Sequence, residues 1–163
     1  MNSISLPAGS PLLKNSFLYG TATSSFQIEG DVDNRLECIW DRFCERPSAI
    51  ADHSNGDVAC DHIARWREDF NILLDLNVDA YRFSISWPRV ITQEGELNPK
   101  GVAFYKTLVD ALNEKGIKPF VTLYHWDLPQ HLEDKGGWLY RQTAFAFEDY
   151  VDKITQALGE SVF

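Results

Sequence analysis

Hydrophobic and polar positions along the chain follow two periods, and each switch between them marks an element. Tyr81, Phe83, Ile85 and Trp87 alternate with Arg82, Ser84 and Ser86, a period of two that predicts a strand with two unlike faces over 80–87, stopped by Pro88. Ile63, Trp66, Phe70, Leu73 and Leu74 recur at helical spacing; they predict a helix that Asp61 can cap and that ends near Asn77. Asn98 and Pro99 give a cap and first turn for a second helix, which buries Phe104, Tyr105, Leu108, Val109 and Leu112 before Gly116 stops it. Thr143 precedes a third, with Phe147, Val151, Ile154 and Leu158 on its apolar face and Gly159 just beyond.

Two more segments read as strands. FLYGTATSSFQIEG begins as a short one at Phe17 after an irregular lead-in over 1–16, and Gly20 lets its backbone turn. KPFVTLYHWDLP, residues 118–129, reads as a buried strand whose apolar run gives way to His125, Trp126 and Asp127, as happens where a strand end forms the floor of a site. Residues 30–60 carry polar clusters and a turn around Asn55 and Gly56, and read as a long, functional loop.

The order strand, helix, strand, helix, strand, helix with short links requires parallel strands and right-handed crossovers. A doubly wound open sheet and an eight-stranded barrel both use it. No Gly-x-Gly-x-x-Gly run or Gly-Lys-Ser/Thr loop is present, which removes the nucleotide-binding form of the open sheet. The polar set Arg82, Ser84 and Ser86 suits a strand face turned toward a barrel axis, whereas both faces of an open parallel sheet are usually apolar. The expected fold class is therefore α/β, a (β/α)8 barrel present only as its first three βα units, over residues 17–163.

Composition narrows the partners. The chain is 44% hydrophobic and 13% aromatic, enough for a packed core, and its net charge of −9 comes without a basic run. Nucleic acid and membranes are therefore not expected as partners. The first twenty residues hold no apolar stretch long enough for a signal peptide or membrane span, so a cytoplasmic location is the expectation. Cysteines 38, 44 and 60 are odd in number and read as free thiols, and with His53, His62, His125 and His131 they show no metal-ligand spacing. No metal and no cofactor are expected.

Barrel chemistry gathers where strands end, and Gln27, Trp87, His125 and Trp126 fall at such ends. A sugar presents adjacent hydroxyls over an apolar C–H face. The amide of Gln27 can meet two hydroxyls and His125 a third, while Trp126, Trp87 and Trp40 offer flat walls. Taken singly, Gln27 also reads as a surface amide, His125 as a bonded core histidine, and Trp40 and Trp87 as core. Arg82 on the axial face needs an anion beside it, which places a carboxylate near the barrel centre, on a strand outside this chain.

GTATSSFQIEG, IWDRF, GDVACDH at 56–62, YRFSISWPRV and PFVTLYHWDLPQHLEDKGGW resemble, in that order, the amino-terminal region of glycoside hydrolase family 1, the β-glucosidase family. The resemblance implies a retaining β-glycosidase that acts on small β-glycosides without a cofactor. By position, Gln27, His125 and Trp126 resemble the family's sugar-holding residues, and Arg82 resembles the arginine beside its nucleophile. The segment DVDNRLEC, 31–38, departs from the family in having no glycine.

The family's acid/base glutamate, in an Asn-Glu-Pro motif after strand four, and its later nucleophile glutamate have no counterpart here. No catalytic residue is therefore expected in this chain, and it is expected to be inactive alone. Glu29 and Asp127 make a poor substitute pair, and Asp127 reads as a loop or capping carboxylate. A cut barrel leaves two open strand edges, so the chain should self-associate, misfold or await a complementing chain. A noncatalytic sugar-binding module and a nonfunctional half-barrel remnant are the alternative readings.

Overall fold

In the computed structural model, which describes residues 5–163, the elements run β1 (Gly20–Ala22), α1 (Ser25–Ile28), α2 (Ile39–Cys44), α3 (His62–Asp75), β2 (Ala80–Ser84), α4 (Trp87–Val90), α5 (Pro99–Glu114), β3 (Lys118–Thr122), α6 (Gln130–Glu133) and α7 (Arg141–Leu158). The strands form one sheet in the order β1-β2-β3, with both pairs parallel. Gly20 lies opposite Ala80 and Ala80 opposite Lys118, so the three strands start level and end along one edge. Helices α3 and α5 are the two crossovers. This is the architecture of three successive units of a (β/α)8 barrel.

The period-two pattern sets the two faces of β2. Tyr81, Phe83 and Ile85 are buried against the helices, where Phe83 stacks on Tyr105 of α5 and where Leu108, Leu112, Ile154 and Leu158 complete the core. Each such side chain contributes roughly 1.5–3 kcal/mol by leaving water. On the opposite face Arg82 is exposed, and Ser84 and Ser86 are buried by the turns that follow the strands. The close approach of α4 to α5 depends on Gly101, where a β-carbon would run into the Arg89 carbonyl.

Asn98 caps α5 as its sequence predicts, with its side chain accepting the Lys100 N–H at 3.2 Å, and Gly116 follows the helix at φ +74°. Other boundaries differ from the pattern. The strand over 80–87 stops at Ser84, and Trp87 opens α4 with Pro88 in its first turn, where the missing N–H costs nothing. Helix α7 starts at Arg141, so Thr143 is a buried residue inside it. Asp61 precedes α3 in the left-handed region, φ +56°, and its side chain caps nothing.

Strand β3 ends at Thr122 and is mostly half-buried, because as the last strand in this sheet it lacks the neighbour that would cover it. The long loop over 30–60 contains α2 and a turn of 3₁₀ helix at Val32–Asn34. Its first segment, 31–38, has no glycine of its own, and the bend falls at Gly30 and Asp31, which both take positive φ, +66° and +53°. The Asp41 carboxylate then fastens it, accepting the Cys38 N–H at 2.7 Å and two bonds from Arg35 at 2.6 and 2.7 Å. Of the lead-in, residues 1–4 lie outside the described region, and Pro11–Leu13 form a short 3₁₀ turn. All three cysteines are free, and no helix among the described residues is long and apolar enough to cross a membrane.

Candidate functional site

A cleft of about 450 Å³ opens where the strands end, lined by Gln27, Trp40, Ser54, Asn55, His125 and Trp126 among others. After β1 the chain turns into α1, and Thr23 and Ser25 anchor the turn through their N–H groups to the Arg82 carbonyl (2.9 Å) and to Ser84 Oγ (2.8 Å). Gln27, on the exposed side of α1, is held from below by Ser24, whose Oγ donates to its Oε1 at 2.6 Å. Among the described residues nothing takes the two Nε2 donors, which remain available to a ligand. After β3, Leu123 and Tyr124 lead to His125 and Trp126, whose rings lie 5.8 Å apart. Trp126 is 65% exposed and sits at φ +69°, a conformation seldom seen for a residue of its size.

The cleft thus gathers Gln27, His125 and Trp126, and Trp40 joins them on its wall. Trp87 does not; it is 1% exposed and stacks on Tyr150 in the core. Arg82 is exposed on the inner face of β2 and makes no ion pair among the described residues. The face that would bury it is open. Ser24 and Asn55 also reach the cleft, though neither stands out in sequence.

A buried polar layer supports the cleft floor, and sequence reasoning missed most of it. Arg89 on α4, 2% exposed, donates from Nε to Glu29 at 2.9 Å, from Nη1 to Asp31 at 2.9 Å and from Nη2 to the Gly30 carbonyl at 2.8 Å. The Tyr105 hydroxyl donates to the other Glu29 oxygen, and burial together with the Glu29 charge pushes that hydroxyl well above the usual tyrosine range. Glu29 therefore holds the end of α1 to α4 and α5. Asp127 lies in the loop after β3, as its place in the sequence suggests, and is buried there, 1% exposed and accepting a hydrogen bond from Ser25 Oγ at 2.9 Å. The sequence reading of a loop or capping carboxylate did not foresee that burial.

Burial pushes the Asp127 carboxyl up to about 6, against about 3.9 in an unfolded chain. Between those values the folded protein binds more protons than the unfolded one, so this contribution is complete below pH 4 and is lost as pH rises toward 6. Arg35 stays charged, burial holds the Cys38 thiol at about 12, and burial raises the Tyr150 hydroxyl well above its ordinary value. Asp127→Asn should therefore gain on the parent by on the order of 2–3 kcal/mol between pH 4 and pH 7, read by urea unfolding. An unchanged difference at the two pH values would mean the carboxyl titrates as an exposed one.

Among the described residues no carboxylate lines the cleft. Glu29 is taken up by Arg89 and Tyr105, and Asp127 lies beneath the floor. The geometry offers hydrogen-bond donors and flat aromatic surface, without a pair of acids facing the same space.

The sequence matches Glycosyl hydrolase family 1 over residues 10–163. It is 51% identical over 149 residues to Beta-glucosidase A of Acetivibrio thermocellus, covering 90% of this chain and 33% of that protein. It is 49% identical over 147 residues to the Beta-glucosidase of Agrobacterium sp., covering 88% and 32%. Among solved structures, the β-glucosidase from Thermotoga maritima in complex with deoxynojirimycin superimposes with a TM-score of 0.87 at 48% identity, over 91% of this chain and 35% of that one. The family 1 β-glucosidase from Exiguobacterium antarcticum B7 gives 0.88 at 48% identity, over 91% and 34%. The chain spans about a third of the length of these relatives. Motif order, strand topology and sequence identity agree, and the chain belongs to glycosyl hydrolase family 1.

Proposed function

We propose that this chain is the sugar-gripping side of a retaining β-glucosidase, and that hydrolysis requires the acid/base and nucleophile carboxylates of further βα units. The observation that carries this reading is a cleft with Gln27, His125 and Trp126 on its wall and no acid beside them. Retaining hydrolysis needs two carboxyl groups about 5–5.5 Å apart. In this reading Gln27 binds two adjacent hydroxyls of the glycone, His125 a third, and the Trp126 indole lies along the sugar's C–H face. Arg82, exposed on the inner face of β2, awaits the carboxylate of a later strand. The partners are a small β-glycoside and a complementing segment or chain.

Titration of the chain with deoxynojirimycin, the ligand held by the Thermotoga maritima relative, tests the binding half by tryptophan fluorescence. Saturable binding is expected, weakened about tenfold or more by Gln27→Ala, since two hydrogen bonds to the sugar are lost at about 1 kcal/mol each. Binding that Gln27→Ala leaves unchanged would remove this cleft as the sugar site.

A further inference from the structure

Trp126 stands in the left-handed region, φ +69°, which a bulky residue keeps only where its surroundings fix it. The next residue supplies the anchor. Asp127 Oδ2 accepts from Ser25 Oγ at 2.9 Å, Ser25 Oγ accepts from Ser84 Oγ at 3.1 Å, and Ser84 Oγ accepts the Ser25 N–H at 2.8 Å. The direction of this chain of bonds is set at both ends, because an amide N–H can only donate and a carboxylate can only accept. It joins the end of β2, the first turn of α1 and the segment after β3, two residues from Gln27 and one from Trp126.

The other Asp127 oxygen has no partner among the described residues. Asp127 also borders a polar cavity of about 10 Å³, lined by Glu29, Arg35 and Ser86 among others, about the size of one water. No cation pairs with Asp127 among the described residues. A buried carboxylate held by one hydroxyl is poorly compensated, so stability alone does not account for an acid at this position.

We propose that Asp127 is a positioning residue, which holds Trp126 in its left-handed conformation and locks the segment after β3 to the α1 turn, so that Trp126, His125 and Gln27 keep one geometry. The proposal rests on the sugar-binding reading above and deepens it.

The test uses Asp127→Ala, Ser25→Ala and the double variant of the 163-residue chain, since alanine, unlike asparagine, leaves no acceptor for Ser25 Oγ. It measures amide hydrogen exchange over 24–28 and 123–128, and the Kd for deoxynojirimycin. In each single variant, exchange should rise about tenfold in both segments while β2 and α5 keep their rates, and Kd should rise about tenfold. The double variant should be no worse than either single one, because both remove one link. Loosening of only the mutated segment, or an unchanged Kd in folded variants, would overturn the proposal. So would loss of the fold in both single variants, which would make the contact a structural one. If the parent binds no sugar while both segments still loosen together, the positioning role stands and the sugar reading fails.

Discussion

Replacing Arg89 with alanine is expected to lower the unfolding free energy by about 3–5 kcal/mol, the range found when one partner of a buried ion pair is removed. Arg89 and Glu29 are 2% and 4% exposed, so without the guanidinium Glu29 keeps its charge, or takes a proton, in a site where water cannot replace the lost bonds. Asp31, held at φ +53° with its carboxylate on the same guanidinium, loses its anchor too. Against a typical net stability of 5–15 kcal/mol, a loss of this size leaves a large unfolded population near body temperature. Glu29→Gln should cost less, because its amide still accepts from Tyr105 and Arg89 keeps Asp31. Urea unfolding followed by tryptophan fluorescence reads both changes. A cost below about 1 kcal/mol for Arg89→Ala, the value of an exposed pair, would show that the pair is hydrated.

Arg89 also shows how far the sequence could be read. The alternation YRFSISW correctly separates the two faces of β2, and a buried arginine was expected from it, at Arg82. The structure buries the guanidinium seven residues later. Burial of an inward face depends on strands that this chain does not contain, whereas Arg89 lies in a four-residue helix, too short to carry a periodic signal. One cue was present, since an arginine within the apolar run WPRVI needs acids, and Glu29 and Asp31 stand just beyond the first strand.

Asp127 follows the same logic. Its neighbours His125 and Trp126 are legible as the end of a strand, but its own burial comes from Ser25, 102 residues away in sequence. Strand order, direction and the gathering of Gln27 with His125 and Trp126 follow from local periodicity plus the handedness of crossovers. The polar layer under the cleft consists of contacts between segments far apart in sequence, and no local pattern encodes it.

Mixing this chain with a fragment that supplies the remaining βα units of a family 1 relative is expected to turn two inactive parts into a β-glucosidase. The outer edge of β3 already carries the first rung of a further parallel strand. Phe163 N–H donates to the Pro119 carbonyl at 2.9 Å and Val121 N–H to the Phe163 carbonyl at 3.1 Å, so that Phe163 bonds both neighbours of Phe120 as a parallel partner does. Their rings stack at 5.6 Å, and the Lys118 ammonium lies 5.3 Å from the Phe163 ring centre. At the opposite edge, beside β1, an apolar groove of about 260 Å³ runs between Thr21, Trp66, Phe70 and Leu76, where a closing unit would bury it. The chain alone should release nothing from a chromogenic β-glucoside above background. The mixture should exceed background at least a thousandfold, a small part of what such enzymes achieve. Val121→Pro, which deletes the donor to Phe163, should depress the restored rate by slowing assembly and leave the Kd of the separate chain for deoxynojirimycin in place. Turnover by the 163-residue chain alone would defeat this expectation, because the acids that perform the reaction would then have to lie within it.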